Sequence, residues 1–376
     1  MTARTLAPSH TYRVISLRPT SVYAGELKPH LPARVFEPAR SRLLWLPVHF
    51  GVILAGTLAL AEHWARGLAA PLVSLVIGCS FAGLAFVAHE TLHGAIVRGK
   101  RWRLVVGWLA FLPFVLSPRL WIAWHNRMHH GHANLPGVDP DAYPTLGEHR
   151  RSLLVRLSTD CFGVGRDRFR GLTSLLIGFH VQSLHVLFTA RRRRYLQPRE
   201  LAFAFLETGA GVALWSFFAL VLGMGTFFWA YVVPALIANA CVMGYIFTNH
   251  ALSPHTDVND PLANSLSVTV PPWVDFLTLR FGFHVEHHLF PWMSSRHAPV
   301  VRDLVRARWP ERYQSMPLWK ALAAVHATPR VYADHDTLVD PQTGYRFHTL
   351  VAKVRRTLRE SVRPHTASRI AARPEG

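Results

Sequence analysis

Residues 68–93 read LAAPLVSLVIGCSFAGLAFVAHETLH, an apolar run that ends in a His-Glu-Thr-Leu-His motif. The part from 68 to 88 is uncharged, and as a helix it is long enough to cross a hydrocarbon layer of about 30 Å. His89 and His93 are four residues apart, so a helix that continues through them places both imidazoles on one face. The stretch therefore predicts a membrane helix that carries two candidate metal ligands to one membrane surface.

Two more apolar runs extend this pattern along the chain. Residues 43–61 are uncharged and reach residue 68 through a short link, which predicts a helical hairpin. Residues 208–248 are uncharged over 41 positions, about twice the thickness of a bilayer core, and Gly223-Met224-Gly225 lies near their middle. The sequence thus predicts an all-α membrane protein with four transmembrane helices in two hairpins. A cytosolic helical cap would carry the histidine motifs.

Two shorter apolar stretches are predicted to lie at the membrane interface. Residues 104–116 are too few for a span and contain Pro113, while residues 172–190 are interrupted by polar side chains such as His180. Counting 172–190 as a crossing would place the last histidine motif on the opposite side of the membrane from the others. We therefore expect four spans.

Positive charge sets the predicted orientation. Basic residues at 98–103 and 191–194 flank the predicted spans, and the positive-inside rule places these flanks in the cytosol. Residues 1–40 contain no apolar run that resembles a signal peptide, so this segment is expected in the cytosol as well. The predicted organisation is a cytosolic segment at 1–40, a membrane domain at 41–310 and a basic cytosolic tail at 311–376.

Composition excludes a disordered or fibrous protein. The chain is 50% apolar and 17% charged, with a mean hydropathy of +0.16. Its net charge of +19 does not indicate nucleic-acid binding, because the basic residues cluster beside apolar runs where anionic lipids would meet them. Only four of the 41 basic residues are lysine, which favours a GC-rich bacterial source and hence the bacterial inner membrane. The three cysteines lie far apart and form no thiolate metal motif.

Eight of the 23 histidines fall in three short windows, at residues 89–93, 125–130 and 284–288. Spacings of three and four residues direct the side chains of each window to one side of a helix. The two hairpins would bring all three windows to one membrane surface, and His250, where the fourth span emerges, is expected at the same level. The predicted metal ligands are His89, His93, His125, His129, His130, His250, His284, His287 and His288.

Nine imidazoles are too many for one tetrahedral ion, and they suit two ions with more ligands each. Imidazole binds iron, copper and zinc, so the residues alone leave the metal open. Asn249, next to His250, is a weaker ligand candidate.

The three motifs, separated by two predicted hairpins, resemble the histidine boxes of membrane fatty acid desaturases and their hydroxylase relatives. The resemblance covers roughly residues 40–310. It implies a di-iron centre, with two iron ions, that uses dioxygen and electrons from an external donor to introduce a cis double bond into the acyl chain of a lipid or thioester. A di-iron lipid or hydrocarbon hydroxylase is the alternative. A zinc-dependent membrane hydrolase or a non-catalytic metal-binding membrane protein is less favoured.

The third motif, His284-Val285-Glu286-His287-His288, resembles that of acyl-lipid desaturases. The related front-end group usually has Gln at the position of His284 and often carries a fused cytochrome domain, whose His-Pro-Gly-Gly haem motif this sequence lacks. The resemblance therefore implies a ferredoxin or a separate cytochrome-type donor. Its expected contacts are Arg98, Arg101 and Arg127; membrane lipids are the other expected partners.

Two expectations concern the surroundings of the metals. Carboxylates near the motifs are expected to accept the second imidazole N–H rather than to bind metal, and the candidates are Asp139, Asp141 and, less favoured, Glu90 and Glu286. Gly78, Ala82 and Ala85 recur at helical spacing toward His89, which predicts either a groove for an acyl chain or close helix packing.

Overall fold

The computed structural model describes residues 15–163, 168–350 and 354–355, and most of them are helical. The α-helices are α1 (Thr20–Leu27), α2 (Trp45–Ala61), α3 (Ala69–His93), α4 (Lys100–Phe111), α5 (Pro118–Trp121), α6 (His130–His132), α7 (Leu146–Arg151), α8 (Leu153–Phe162), α9 (Arg168–Thr189), α10 (Pro198–Phe227), α11 (Val233–His250), α12 (Pro261–Asn264), α13 (Pro272–Leu277), α14 (His284–Leu289), α15 (Ala298–Arg308) and α16 (Leu318–Ala327). The π-helices are Ile122–His129 and Phe228–Val232, and short 3-10 segments cover Lys28–His30, Ala33–Phe36, Arg40–Leu44, Leu112–Phe114 and Ser295–His297.

Helix α3 is the centre of the fold. Every residue from Phe81 to His93 is buried, because α2, α4 and α11 pack around it. Glycines permit the close approach: a Cβ on Gly83 would lie 2.3 Å from the His49 ring of α2. Likewise, a Cβ on Gly78 would lie 2.7 Å from Ile237 Cβ of α11. The helix that carries the first histidine motif is thus fixed on several sides.

Helices α10 and α11 belong to one apolar segment that reverses direction at Gly223. The segment Pro198–His250 has 53 residues, and Gly223 has φ 72° and ψ 152°, outside the helical region. Trp215 and Tyr231 lie eight residues before and after this glycine, yet their ring centroids are 4.1 Å apart. A straight helix would separate them by about 24 Å. The break occurs within the predicted Gly-Met-Gly turn.

In the part of the chain that the structure describes, four helical segments are long and apolar enough to cross a membrane: Ala33–Ala61, Ala69–His93, Gly171–Thr189 and Pro198–His250. Gly171–Thr189 falls in the stretch predicted to be interfacial, so length and composition alone do not distinguish it from a span. The stretch 104–116 contributes to a pair of helical segments, Lys100–Phe114 and Pro118–His132, bent by 101°. The interfacial placement of both stretches stays a prediction.

Short strands occur beside the helices. They are β1 (Ile15–Ser16), β2 (Ser267–Thr269), β3 (Ser315–Pro317), β4 (Val331–Tyr332), β5 (Thr337–Val339), β6 (Arg346–His348) and β7 (Val354–Arg355). β1 pairs with β7 and β2 with β3 in parallel, while β4, β5 and β6 form an antiparallel sheet in that order.

Part of the predicted C-terminal tail packs on the rest of the chain. The Tyr332 ring of β4 stacks on His255 with 3.5 Å between ring centroids, and its hydroxyl donates to the carbonyl oxygen of Ser253. The backbone N–H of Leu350 donates to Leu252 O at 2.9 Å. These contacts cover the segment that follows α11. The basic stretch 353–363 lies, apart from residues 354–355, outside the described residues.

Candidate metal centre

The first motif ends helix α3. Gly94 follows His93 directly and has φ +84°, a left-handed conformation that stops the helix at its second histidine. The His89 and His93 rings point the same way, with 4.7 Å between their centroids. The predicted pairing of these two side chains on one helical face is thus present.

The second motif lies in a π-helix rather than an α-helix. The backbone N–H of His130 donates to the backbone carbonyl oxygen of His125, an i→i+5 hydrogen bond that widens the helical turn. His125 Nε2 and His130 Nε2 consequently lie 3.2 Å apart, although these residues are five positions apart. His129 points to a different neighbour, since its Nε2 lies 3.2 Å from that of His250. The side chains of this window were expected on one side of a helix, but the structure divides them between two groups of histidines.

The third motif occupies α14, and a tight turn delivers it. Gly282 lies so close to β2 that a Cβ there would be 2.5 Å from Val268 O. The Val268 N–H donates to Gly282 O at 2.8 Å, which ties the turn to the strand. Within α14, His284 Nε2 and His288 Nε2 are 3.0 Å apart.

All nine predicted histidines converge in two groups. The first group, His89, His93, His125, His130 and His287, and the second group, His129, His250, His284 and His288, each offer ring nitrogens within 4.8 Å of one another. The second and third motifs contribute histidines to both groups. His89 and His93 of the first motif belong to the first group alone, and His250 belongs to the second group. The two clusters adjoin, since the His130 and His288 rings stack with 4.3 Å between centroids.

The donor set fits two metal ions. Nitrogens bound about 2.1 Å from one ion at right angles are roughly 3 Å apart. In the second group, His284 Nε2 lies 2.6 Å from His250 Nε2, and in the first, His287 Nε2 lies 3.1 Å from His130 Nε2. His89 Nε2 and His93 Nε2 are buried without a hydrogen-bond partner, as expected of nitrogens that face a cation.

Burial favours the neutral form of the histidines of the third motif. Burial, and secondarily the neighbouring imidazoles, hold the pKa of His284, His287 and His288 well below the ordinary value. A neutral imidazole keeps a lone pair for a metal, whereas an imidazolium does not. These rings are therefore in the protonation state that metal binding requires.

A family model described as fatty acid desaturase matches residues 62–319. The chain belongs to the fatty acid desaturase family. The sn-1 oleoyl-lipid 12-desaturase of Picosynechococcus sp. is 26% identical over 89% of this chain and 97% of its own length. The chloroplastic omega-6 fatty acid desaturase of Arabidopsis thaliana is 24% identical over 66% of this chain, and the match covers only 56% of that relative. A fatty acid conjugase of Calendula officinalis is 23% identical over 79% of this chain and 86% of its own.

Polar groups behind the rings of this desaturase-family centre orient the second group. Both oxygens of Asp139 lie 3.1 Å from His129 Nδ1, and Asp139 is itself held by the backbone N–H of Asn134 at 2.8 Å. His250 Nδ1 donates to Asn264 O at 2.8 Å. An occupied Nδ1 leaves Nε2 for the cluster, so these contacts fix the tautomer as well as the ring.

Asp141 lies between the two groups. Its Oδ2 is 3.4 Å from His129 Nδ1 and 4.0 Å from His125 Nδ1. Its Oδ1 accepts from Trp124 Nε1 at 2.7 Å and from Gln182 Nε2 at 2.6 Å. The expectation that Asp139 and Asp141 stand behind imidazoles agrees with this geometry.

The other predicted neighbours have different partners. Glu90 pairs with Arg42 and accepts the Ser295 N–H, and Glu286 accepts from Ser267 Oγ and the Tyr313 hydroxyl, so neither carboxylate supports a ring. The side-chain amide of Asn249 lies 3.0 Å from His284 Nδ1, behind the ring rather than among the Nε2 atoms.

An apolar pocket opens beside both groups. Its walls include Phe111, Phe179, Val242 and Ile246, and histidines of both groups border it. Ala85 lines it, but Gly78 packs on Ile237 of α11. Of the two predicted alternatives, close helix packing is therefore the one found at Gly78.

The sequence reasoning missed Trp121 and Asn264. The Trp121 ring stacks on His125 at 4.4 Å and touches His89 and His93. Its place four residues before His125 is a signal that helical spacing could have used. Asn264 acts through its backbone carbonyl, which no sequence pattern reveals.

Proposed function

We propose that this chain is an oxygen-dependent di-iron fatty acyl desaturase that introduces a cis double bond into an acyl chain of a lipid or thioester. The observation that carries the proposal is the division of nine buried or half-buried imidazoles into two adjoining groups beside an apolar pocket. Membership of the desaturase family supports the same reaction class. The named activities of the relatives belong to those proteins, and the substrate of this chain is proposed here.

The five-histidine group would hold one iron and the four-histidine group the other. With dioxygen and two electrons from an external donor, bound iron supplies the strong oxidant that removing hydrogen from an unactivated methylene requires. The protein itself contributes the histidine ligands and the groups that orient them. Asp139 and the Asn264 carbonyl keep His129 and His250 in the tautomers that present Nε2.

The pocket supplies binding and exclusion of water. Phe111, Phe179 and Val242 offer an acyl chain an apolar surface and no hydrogen-bond partner for water. Because His89 and His284 form part of the same wall, a bound chain would lie with its methylenes against both groups. A dry site also protects a reactive oxidant from side reactions.

We place the protein in a bacterial inner membrane, with the three histidine motifs and both termini in the cytosol. Helices α2 and α3 would form one transmembrane hairpin, and the reversal at Gly223 would form the other. Such hairpins return the chain to the same surface before the first and the third histidine motifs. The second motif follows the first with no proposed hairpin between them, so this arrangement is compatible with the convergence of all three. A ferredoxin or cytochrome-type donor would dock on that surface near Arg101 and the exposed Arg127.

The test is metal and product analysis of the purified chain. We expect iron in both groups, close to two ions per chain, and an alkene when a donor, dioxygen and acyl lipid are supplied. Gas chromatography distinguishes an alkene from an alcohol, and an alcohol would indicate the hydroxylase alternative. Zinc in place of iron, with no oxygen-dependent product, would refute the proposal.

A further inference from the structure

Two cavities flank the histidine groups and share a wall. The apolar pocket described above and a second pocket are both bordered by Phe86, His89, Phe281 and His284. Side chains common to two cavities form the partition between them.

The two cavities differ in polarity. The first is closed by aromatic and aliphatic side chains such as Phe179 and Ile246. The second reaches Glu90, Arg280 and Ser295, whose groups are charged or polar. The polarity of the two cavities matches a molecule with a polar head and a long apolar tail, with its head in the second cavity and its tail in the first.

Exposed apolar residues lie beside the second cavity. Helix α13 ends immediately before Thr278, which lines that cavity, and it exposes Trp273, Phe276 and Leu277. A short helix with three large exposed apolar side chains suits a lipid environment. The mouth of the second cavity thus adjoins a surface from which a lipid chain can enter.

Phe281 borders both cavities and follows a backbone turn of unusual conformation. Its ring lies 4.8 Å from His89 and 4.9 Å from Phe86 by centroid distance. The two residues before it, Leu279 and Arg280, have φ +53° and +62°, a left-handed conformation that side-chain-bearing residues rarely adopt. Such a turn persists only where its surroundings hold it.

A clamp built from the first motif holds this turn. Arg42 donates to the Leu279 carbonyl at 3.4 Å and to Ser295 Oγ at 2.8 Å, and Arg42 also pairs with Glu90. Glu90 accepts the Ser295 N–H at 2.6 Å. Because Glu90 follows His89 directly, these contacts fix the position of Phe281 relative to the first histidine group.

We propose that the two cavities are one path for the acyl chain of the substrate, and that Phe281 is the residue that sets which carbons stop beside the histidines. This inference rests on the proposed function for its account of the product, but the path itself does not depend on metal. The headgroup stays near Arg280, and the tail passes Phe281 to reach Val242 and Ile246. Glu90 and Arg42 are positioning residues that act through the turn.

Photolabelling of the full chain in lipid nanodiscs, prepared without metal, tests the path. The probe is a phosphatidylcholine whose stearoyl chain carries a diazirine near its methyl end. We expect the label in peptides that contain Phe179, Val242 or Ile246. In Phe281→Trp we expect about tenfold less label there, because the larger ring narrows the passage. Phe188→Trp, on an exposed side chain of α9, is the matched control and should label like the unmodified chain.

Product analysis tests the role of Phe281 in specificity. In the iron-loaded protein, Phe281→Leu should change the ratio of double-bond positions by about tenfold, while Phe188→Leu should not. Equal labelling of the deep peptides in unmodified protein and Phe281→Trp, or no label there in either, overturns the path. If Phe281→Trp does not fold, the leucine variant decides, and an unchanged product ratio overturns the assignment. Deep labelling without any alkene from the unmodified chain refutes the proposed function and leaves the path standing.

Discussion

The two histidine groups are built differently although they adjoin. The four rings of the second group are all buried, whereas three of the five in the first group are slightly exposed. In the second group, His129, His250 and His284 each have a polar group at Nδ1, supplied by Asp139, the Asn264 carbonyl and the Asn249 amide. In the first group, Trp121 contacts His89, His93 and His125 by aromatic packing.

The two groups thus show two ways in which a protein orients the histidine ligands of a metal. Hydrogen bonds at Nδ1 fix the ring and its tautomer, while aromatic packing fixes the ring plane and leaves the tautomer to the metal. The first group also borders both cavities through His89, where a substrate needs access. We therefore expect the second group to depend on polar partners and the first on its aromatic wall.

The largest effect should follow removal of one ligand from either group. His287→Ala in the first group and His129→Ala in the second should each lower product formation by more than the roughly 100-fold typical of lost supporting residues, because a shell nitrogen is missing. His326→Ala, an exposed position on α16, is the control. Gas chromatography of product and iron content measure the effect. Full activity in either variant would remove that residue from the proposed shell.

The next effect should be confined to the second group. Asp139→Asn removes the charge that faces His129 and should lower iron affinity or activity by about 10- to 100-fold. After dialysis against a chelator, we expect roughly one iron per chain to remain, held by the first group. Asp303→Asn, whose side chain is 73% exposed, is the matched control. Loss of both irons at the same chelator concentration would show that the groups do not differ.

The convergence of these nine histidines could be predicted from sequence, but their division into two groups could not. Their number, spacing and position after apolar runs are all visible in the chain. The division depends on the π-helix Ile122–His129. Its i→i+5 bonding brings His130 Nε2 to 3.2 Å from His125 Nε2, while His129 Nε2 lies 3.2 Å from His250 Nε2. No pattern of apolar residues distinguishes that turn from an α-turn.

The fold was predictable to a similar degree. Long uncharged runs predicted the apolar helices and the break near Gly223, because helix length and glycine chemistry are local properties. The role of Glu90 was not predictable, because its partner Arg42 lies 48 positions away in the chain. The packing of residues 311–350 was also missed, since strands of two or three residues are too short to show an alternating apolar pattern.

A smaller effect should single out the first group. Trp121→Leu keeps an apolar side chain but removes the ring stacked on His125, and such contacts are worth about 0.5–1.5 kcal/mol, or up to roughly tenfold in affinity. We expect iron to be lost from the first group at a lower chelator concentration while the second group is unaffected. Trp319→Leu, on the exposed face of α16, controls for loss of a tryptophan. Iron lost from the second group first would reverse the assignment of supports.

The smallest effect concerns the surface above both groups. Arg127 lies in the π-helix between residues of the two groups, and its side chain is exposed, so it does not touch the shell. If an acidic donor protein docks there, Arg127→Glu should slow donor-dependent turnover a few-fold at low salt, because a rim charge acts on association rate. The slowing should diminish as salt screens the charge. Turnover driven by a small chemical reductant should be unchanged, which separates docking from damage to either group. Equal turnover with the protein donor at low salt would place the donor elsewhere on the molecule.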